Sequence, residues 1–338
     1  MRQYSNLTAA LYVIGPILII VSHGGSLLVL FTGLSWGSVG WILGLYGLRM
    51  LATTAIYHRL LTHKSYQAPT WLLRLGCVIG ASAGQMGPSW WKAHHLAHHQ
   101  YADLPRDPHS PYQPYSDLKG LYWSQGGWLL SNHFFPEKLP QDVEKDRFLQ
   151  VLDRLHFVPL IALAALSYGL GGLEYLGAFF LSTTLLFHGV QTVNSISHLW
   201  GTQPFVNQDN SYNNPWVALL TLGEGWHNLH HAFPSSSRHG ITLEGQKVVY
   251  LPDPTYAFLQ GLEFLGLASH LRVPSEANLL SRSKHSVGSG NPNSTQDSND
   301  NRDADPGIAL GSSSEDLTLI TPDSSSSKAK DDRLKVFQ

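Results

Sequence analysis

Histidine is the residue type whose number and spacing suggest chemistry in this chain. Eighteen histidines occur among 338 residues, and fourteen of them lie between His58 and His231. Neutral imidazole is the commonest protein ligand for transition metals. The local excess of histidine therefore indicates a metal site.

Three histidine clusters carry this prediction, in the segments YHRLLTH, HHLAHH and WHNLHH. The last two share the spacing H-x-x-H-H, which puts three imidazoles on one face of a helix, so we expect each triplet to serve one pole of a site. His58 and His63 lie about 140° apart on an ideal helix, which suits ligands of different metals or a helix end that unwinds. The clustered candidates are His58, His63, His95, His98, His99, His227, His230 and His231.

A fourth segment, NSISHLWG, adds His198, with Asn194 four residues before it. Nine imidazoles without a thiolate exceed a single tetrahedral zinc site, which takes about four ligands. They suit two metals with open coordination positions. Because imidazole binds zinc, copper, iron and nickel, the ligand type alone leaves the metal open.

Composition excludes several other functions. The single cysteine, Cys77, excludes an intrachain disulfide and any cysteine-ligated zinc or iron–sulfur cluster held by this chain alone. The net charge of −2 argues against nucleic acid as a partner, because nucleic acid selects strongly basic surfaces.

Two apolar blocks must position the histidines. The first predicts membrane spans at about 11–31 and 39–57, each long enough to cross a hydrocarbon core of ~30 Å. A cleaved signal peptide is the alternative for the first run. The second block is interrupted by glycines near residue 171 and predicts two shorter spans, about 156–172 and 174–193, with one long tilted helix as the alternative. The expected fold is an all-α integral membrane protein with four transmembrane helices in two hairpins.

The distribution of basic residues predicts the orientation of these spans. The hairpin turns, about 32–38 and 169–174, contain no Lys or Arg, whereas residues 58–155 contain ten. The positive-inside rule therefore makes this stretch cytoplasmic. With an even number of spans, residues 194–280 join it in a cytoplasmic helical cap that carries the dimetal site, and both termini are cytoplasmic.

The chain is expected to divide into a membrane domain, 1–280, and a tail, 281–338. The tail is rich in Ser and Asp and has few apolar residues, so it cannot bury enough surface to offset the entropy of ordering. We predict that it is disordered. The segment Pro254–Ala268 predicts an amphipathic helix, which would pack on the cap or lie on the membrane surface.

With these motifs in place, the sequence resembles the membrane fatty acid desaturases, in particular the Δ9 acyl-CoA and acyl-lipid branch that includes stearoyl-CoA desaturase. The resemblance covers about residues 40–270. It rests on HRLLTH at 58–63, HLAHH at 95–99, DPH at 107–109, NSISHLWG at 194–201 and GEGWHNLHHAFP at 223–234.

The resemblance implies two iron ions (Fe2+), held by nine histidines and by a water on Asn194. Asp107 and Glu224 are expected to orient ligand imidazoles through their second ring nitrogen. The remaining histidines of the region are expected to support the ligands or lie on the surface. The implied ligands are His58, His63, His95, His98, His99, Asn194, His198, His227, His230 and His231.

The resemblance also implies an acyl tunnel along the second span. Met50 lies about 12 Å deeper than His58 on an ideal helix, where the methyl end of a substrate would sit. Tyr46, one turn further, would close the tunnel. Packing against a neighbouring span is the alternative role for Met50. Gln191 stands where the family usually has Trp and is expected to line the same tunnel.

Two further departures from the family pattern concern the group that carries the acyl chain. Ala93 and His94 replace an Arg-Asp pair typical of the acyl-CoA enzymes, and Gln125 replaces a His. They leave the predicted metal site intact and the carrier open among CoA, a lipid and acyl carrier protein.

The implied reaction is O2-dependent introduction of a cis double bond, at Δ9, into a saturated acyl chain. Unactivated methylene hydrogens are not acidic, so removing them requires redox chemistry, which iron supplies and zinc cannot. No catalytic residue beyond the metal ligands is expected. A separate ferredoxin or cytochrome b5 would supply the two electrons per turnover.

Several alternative functions stay open. A hydroxylase, acetylenase or oxidative decarboxylase would share the same histidine scaffold. A membrane zinc hydrolase or metal transporter belongs to another class. A transporter should carry polar ligands inside its spans, but only His23 and His188 lie there.

Overall fold

The computed structural model describes residues 6–284; the tail expected beyond them lies outside the described residues. The helices are α1 Asn6–Ser26, α2 Val29–Thr32, α3 Trp36–Leu51, α4 Thr70–Ala81, α5 Pro88–Tyr101, α6 Asp117–Ser124, α7 Gln141–Glu144, α8 Arg147–Arg154, α9 Phe157–Asn194, α10 Ile196–Leu199, α11 Pro215–Leu220, α12 His227–Ala232, α13 Pro254–Phe264 and α14 Glu276–Ser281. A π-helix, Ala52–Thr62, continues α3, and two short 3-10 helices span Gly127–Leu130 and Asn132–Phe134. The tail was predicted to start at 281, but Ser283 still pairs with Phe205 in an isolated β-bridge. The ordered part of the chain therefore extends past the predicted boundary.

Three helical stretches of the described chain are long and apolar enough to cross a membrane. They are Leu7–Thr32, Trp36–Thr62 and Phe157–Leu199. Large hydrophobic side chains remain exposed along them, including Leu30, Leu43 and Leu170. Exposing such an apolar surface to water is energetically unfavourable, and the hydrocarbon core of a bilayer would cover it.

The long helix α9 is broken at residues 171–172, both glycines. The backbone leaves helical geometry there, and the second glycine has a φ of 61°, which suits a residue without Cβ. Ser167 accepts from Trp41 Nε1 at 3.0 Å, and Ser182 Oγ donates to the Ile42 carbonyl at 2.9 Å. A continuous helix would separate the two serines by about 22 Å. The chain therefore reverses at the break, and both halves of α9 pack against α3.

A fully buried arginine joins α3 to the second half of α9. Arg49 is 0% exposed, and its guanidinium donates to Thr183 Oγ1 at 2.8 Å, Ser182 Oγ at 2.9 Å and the Ser82 carbonyl at 3.2 Å. A buried guanidinium is tolerated only when its donors are matched. These bonds fix the depth at which α3 packs against α9.

Residues 241–250 form a part of the fold that the sequence analysis missed. Strands β1 (Ile241–Glu244) and β2 (Lys247–Tyr250) form an antiparallel hairpin in which Ile241 pairs with Tyr250. The all-α expectation is therefore wrong here, because the β-branched and aromatic residues of ITLEGQKVVY favour strands. The predicted amphipathic helix forms α13, which begins with Asp253 accepting from the Tyr256 backbone N–H.

Candidate metal centre

Nine histidine side chains converge in the structure as two groups of ring nitrogens. Within each group the nitrogens lie within 4.8 Å of one another. Group A consists of His58, His63, His95, His99 and His230. Group B consists of His98, His198, His227 and His231. All nine histidines singled out in the sequence belong to one of these groups.

The spacing of the two H-x-x-H-H triplets predicted that each would serve one pole of the site. This prediction is wrong, because both triplets are divided between the two groups. In α5, His95 and His99 belong to group A and His98 to group B, whereas α12 contributes His230 to group A and its other two histidines to group B. Successive helical residues point about 100° apart, so the neighbours His98 and His99 diverge. Each triplet thus contributes to both groups: α5 gives two histidines to group A and one to group B, and α12 gives one to group A and two to group B.

The π-helix explains why His58 and His63 serve the same group. The His63 backbone N–H donates to the His58 carbonyl five residues earlier, at 3.1 Å, which is the π-helical pattern. In this wider turn, residues five apart lie on nearly one face rather than about 140° apart. Their ring centroids are 4.9 Å apart, and neither separate metals nor an unwound helix end is needed.

Distances between the ring nitrogens fit metal coordination. In group A, the Nε2 atom of His99 lies 3.1 Å from that of His95 and 2.8 Å from that of His230. In group B, the Nε2 atoms of His198 and His227 are 3.0 Å apart. Two nitrogens bound at right angles to one metal at ~2.1 Å would be about 3.0 Å apart. The nitrogens therefore stand at the spacing of neighbouring ligands.

Carboxylates set the tautomer of three group B histidines. Their Nδ1–H groups donate to aspartate oxygens, which holds the proton on Nδ1 and leaves the lone pair of Nε2 toward the group. The pairs are His98 with Asp107 at 2.9 Å, His198 with Asp103 at 3.1 Å and His231 with Asp209 at 2.7 Å. The Nε2 atoms of His98 and His231 are buried and have no hydrogen-bond partner in the described chain. A cation at this point would satisfy them.

Two of these three aspartates were not predicted. Asp107 was expected from the DPH motif, and Asp103, four residues before it, shares the same turn after α5. That proximity was a usable signal. Asp209 had none, because it lies 22 residues from its partner His231.

Group A is supported by a buried charged network. The predicted residue Glu224 lies 2.5 Å from His58 Nδ1, and its other oxygen accepts from Arg59 at 2.9 Å. Arg59 also pairs with Asp253 at 3.1 Å. Burial alone would raise the pKa of Glu224, but Arg59, His58 and the buried imidazole of His239 lower it well below its usual range. Glu224 is therefore an anion that orients His58. His239, which the ligand pattern did not include, contacts the same carboxylate at 3.2 Å.

The protein environment keeps most of these imidazoles neutral, which is the form that binds metals. Burial lowers the pKa of six of them well below the usual histidine value: His63, His95, His99, His227, His230 and His231. His98 differs, because the Asp107 carboxylate outweighs burial and raises its pKa. Asp107 thus stabilises positive charge at His98, as it would for a metal-bound imidazole.

Comparison with known proteins agrees with this site. The family model for fatty acid desaturases matches residues 34–241, more than half of the chain. An acyl-CoA C20 Delta5-desaturase of Anemone leveillei is 36% identical over 249 residues, which cover 72% of this chain and 76% of that protein. An sn-1 stearoyl-lipid 9-desaturase of Anabaena variabilis is 37% identical over 258 residues, or 74% of this chain and 90% of the relative.

The chain belongs to the fatty acid desaturase family. It is therefore an oxidoreductase of lipid metabolism. A third relative, a chloroplastic palmitoyl-monogalactosyldiacylglycerol delta-7 desaturase of Arabidopsis thaliana, is 36% identical over 271 residues, which cover 78% of this chain and 70% of the relative. The names of the three relatives differ in the carrier of the acyl chain and in the double-bond position.

A pocket in this desaturase leads to the metal centre. It lies between α1, the second half of α9 and residues of the segment 84–129, and its walls include His95, Asn194 and the predicted tunnel residue Gln191. Asn194, at the end of α9, donates its side-chain amide to Gln191 Oε1 at 3.0 Å.

The other two predicted tunnel residues lie outside the walls of this pocket. Met50 is fully buried in a cluster with Leu186 and Val190, and Val190 also lines the pocket. Tyr46 packs on the same cluster, and its hydroxyl donates to the Leu220 carbonyl at 2.7 Å. Met50 therefore stands one layer behind the pocket wall, and a tunnel reaching it stays a prediction.

Proposed function

We propose that this desaturase holds two iron ions and uses O2 to introduce a cis double bond, at Δ9, into a saturated acyl chain. The observation that carries the proposal is the pair of histidine groups, with carboxylates on the outer ring nitrogens and lone pairs directed inward. The Δ9 position is supported by the stearoyl-lipid 9-desaturase, which is matched over 90% of its length.

Each iron has its own ligands in this proposal. Group A would hold one iron, and group B would hold the other with a water bound by Asn194. When bound, the irons supply the one-electron and O2 chemistry that unactivated methylene groups require. The chain itself turns the Nε2 lone pairs toward the irons, because Glu224 faces Nδ1 of His58 and aspartates accept from Nδ1 of His98, His198 and His231. It also provides an apolar pocket that excludes water and holds the acyl chain beside His95.

We further propose four membrane crossings in two hairpins, with the break in α9 as the second turn. The packing of both halves of α9 on α3 supports this topology. Residues 58–155 and 194–280 then form one cytoplasmic cap, and both termini are cytoplasmic. Residues 1–280 make up the membrane domain in this proposal, and disorder of the tail predicted at 281–338 stays a prediction for the residues after 284.

A separate protein would deliver electrons. This chain has one cysteine, Cys77, which is buried, so it cannot hold a cysteine-ligated iron–sulfur cluster by itself. A ferredoxin or cytochrome b5 is the expected donor.

Expression in a host that lacks desaturases tests the proposed reaction. Fatty-acid profiling should find new monounsaturated chains with the double bond at carbon 9, and these should disappear without O2. Hydroxy, acetylenic or chain-shortened products would favour the alternative reactions of this scaffold. Stoichiometric zinc in the purified protein, with no O2-dependent activity after iron reconstitution, would overturn the proposal.

A further inference from the structure

The pocket beside the metal centre has walls without formal charge. Among the described residues, none of those that line it is Lys, Arg, Asp or Glu. We propose that it takes an acyl chain esterified to a membrane glycerolipid, and that the Trp128 indole N–H donates to the ester carbonyl. This inference rests on the proposed desaturation and names the carrier that the sequence left open.

Two buried donors in the pocket walls lack acceptors. Trp128 is 3% exposed and Gln85 is 6% exposed, and both line the pocket. Trp128 Nε1 and Gln85 Nε2 have no hydrogen-bond partner in the described chain. Buried donors are costly to leave unpaired, so their presence in a pocket indicates that a ligand supplies the acceptor. An ester carbonyl is an acceptor without a proton and suits both.

The position of Trp128 is fixed by its neighbours. Its ring stacks on that of Trp90, with ring centroids 5.6 Å apart and an interplanar angle of 18°. The centroid of the His109 ring lies 5.2 Å from that of Trp128. Trp90 directs its own indole N–H to the Phe134 carbonyl at 2.7 Å. One indole of the stacked pair is thus satisfied within the protein, while the N–H of the other, which belongs to a pocket-lining residue, has no partner in the described chain.

A CoA carrier fits this pocket poorly. CoA bears phosphate groups, which proteins bind with Arg and Lys side chains, and none of these lines the pocket. His94 lines it, but its two ring nitrogens face protein carbonyls, that of Trp90 at 3.0 Å and that of His133 at 2.9 Å, so neither nitrogen is directed at a ligand. A glycerolipid brings only its uncharged ester region into the pocket and leaves its head group outside.

The pocket lies at a seam between helices whose outer surfaces suit lipid. Ile19 of α1 and Phe187 of α9 line it, while Ile20 is 59% exposed and Leu185 is 48% exposed beside them. On the cap side, Leu129 lines the pocket and the next residue is 67% exposed. An acyl chain can enter here from a bilayer without crossing a charged surface.

A row of three hydrogen-bonded, neutral side chains borders the same seam. The Nε2 atoms of His23 and His188 are 2.9 Å apart, and the Gln125 side-chain amide lies 3.2 Å from His188 Nδ1. His23 Nδ1 lies 2.7 Å from the Ile19 carbonyl and donates to it, so His23 Nε2 can accept from His188 Nε2. His188 Nδ1 can then accept from the Gln125 amide. Each imidazole donates once and accepts once, which the neutral ring can do. An uncharged polar edge beside an apolar surface matches the ester and glycerol region of a lipid.

Substrate competition tests the carrier. Full-length, iron-loaded enzyme in nanodiscs would receive reductant and either stearoyl-CoA or lipids that carry stearate at sn-1. These lipids are phosphatidylcholine, phosphatidylglycerol and monogalactosyldiacylglycerol. We expect oleoyl product in the lipid fraction, with kcat/KM at least tenfold above that for stearoyl-CoA. Equal or better turnover of stearoyl-CoA would overturn the carrier assignment while leaving the proposed desaturation intact. Failure with every substrate would overturn both.

Paired tryptophan variants test the carbonyl contact. Trp128→Phe keeps a smaller aromatic ring but removes the donor, and should lower kcat/KM for the lipid about tenfold. Trp123→Phe is the matched control, because Trp123 Nε1 is also buried without a partner in the described chain but does not line the pocket. It should change kcat/KM less than twofold. Equal effects of the two substitutions would overturn the role of Trp128.

A readout independent of turnover uses metal-free enzyme. A stearoyl glycerolipid with a diazirine near its ester should crosslink to the peptide that contains Trp128 and Leu129. Trp128→Phe should reduce this crosslink, and Trp123→Phe should not. A crosslink confined to the exposed surface of α1 would contradict entry into the pocket.

Discussion

His98 and His99 are neighbours in the chain, yet His98 belongs to group B and His99 to group A. Their rings are inclined at 66°, and His99 Nε2 lies 2.8 Å from that of His230. His98 Nε2 instead faces group B, with Asp107 holding the opposite nitrogen at 2.9 Å. One turn of α5 therefore serves both proposed irons, and the rigidity of a helix fixes the distance between them.

This arrangement predicts that His98→Ala and His99→Ala each remove one metal. Purified wild-type enzyme should contain about two irons per chain and each variant about one, with turnover abolished in both. Elemental analysis of the purified protein measures the iron. His270→Asn is the control, because His270 is exposed and belongs to neither group. Two irons retained in both variants would contradict the assignment of separate ligands.

The Asp209 carboxylate predicts a measurable contribution from outside the ligand set. Asp209→Asn removes the negative charge that His231 Nδ1 meets at 2.7 Å. Loss of such a partner typically costs about 10–100-fold in metal affinity or activity, and we expect at least tenfold in kcat. Asp117→Asn is the control, since Asp117 is exposed and its positive φ of 55° suits Asn. Equal activity of the two variants would contradict a role for the Asp209 charge at His231.

Met50 predicts a change in chain-length preference. If a tunnel extends behind Val190, Met50→Ala would lengthen it, and the product profile should shift toward longer acyl chains. The double-bond position counted from the carboxyl end should stay unchanged, because the metals set it. Fatty-acid profiles of both forms measure this. An unchanged chain-length distribution would assign Met50 to packing with Leu186.

Asp153 predicts a pH-dependent stability. Its carboxylate accepts from the backbone N–H groups of Ser89 and Trp90 at the start of α5, at 2.8 and 3.0 Å. Burial raises the pKa of Asp153 to about 6. A folded-state pKa above the unfolded value favours folding at low pH, and this contribution is lost as pH rises from about 4 to 6, by about 3 kcal/mol.

Thermal unfolding in detergent measures this effect. Asp153→Asn keeps an acceptor for α5 but does not titrate, so the Tm difference between variant and wild type should move in favour of the variant from pH 4 to pH 7. Parallel Tm curves over that range would contradict a titrating Asp153.

The sequence alone predicted the parts of this protein that depend on local order. Apolar runs indicate helices long enough to cross a membrane, and glycines near residue 171 mark the break in α9, because both properties depend on neighbouring residues. The histidine motifs identified all nine converging imidazoles for the same reason.

Tertiary structure alone decided how those imidazoles divide. Helical spacing assigned each triplet to one pole, but the way α5 and α12 face each other splits both, and the π-helix brings His58 and His63 together. Asp103 and His198 are 95 residues apart and meet only through this packing. Periodicity records which face of a helix is apolar or polar, but not which distant side chain that face meets, because the latter depends on how the helices cross.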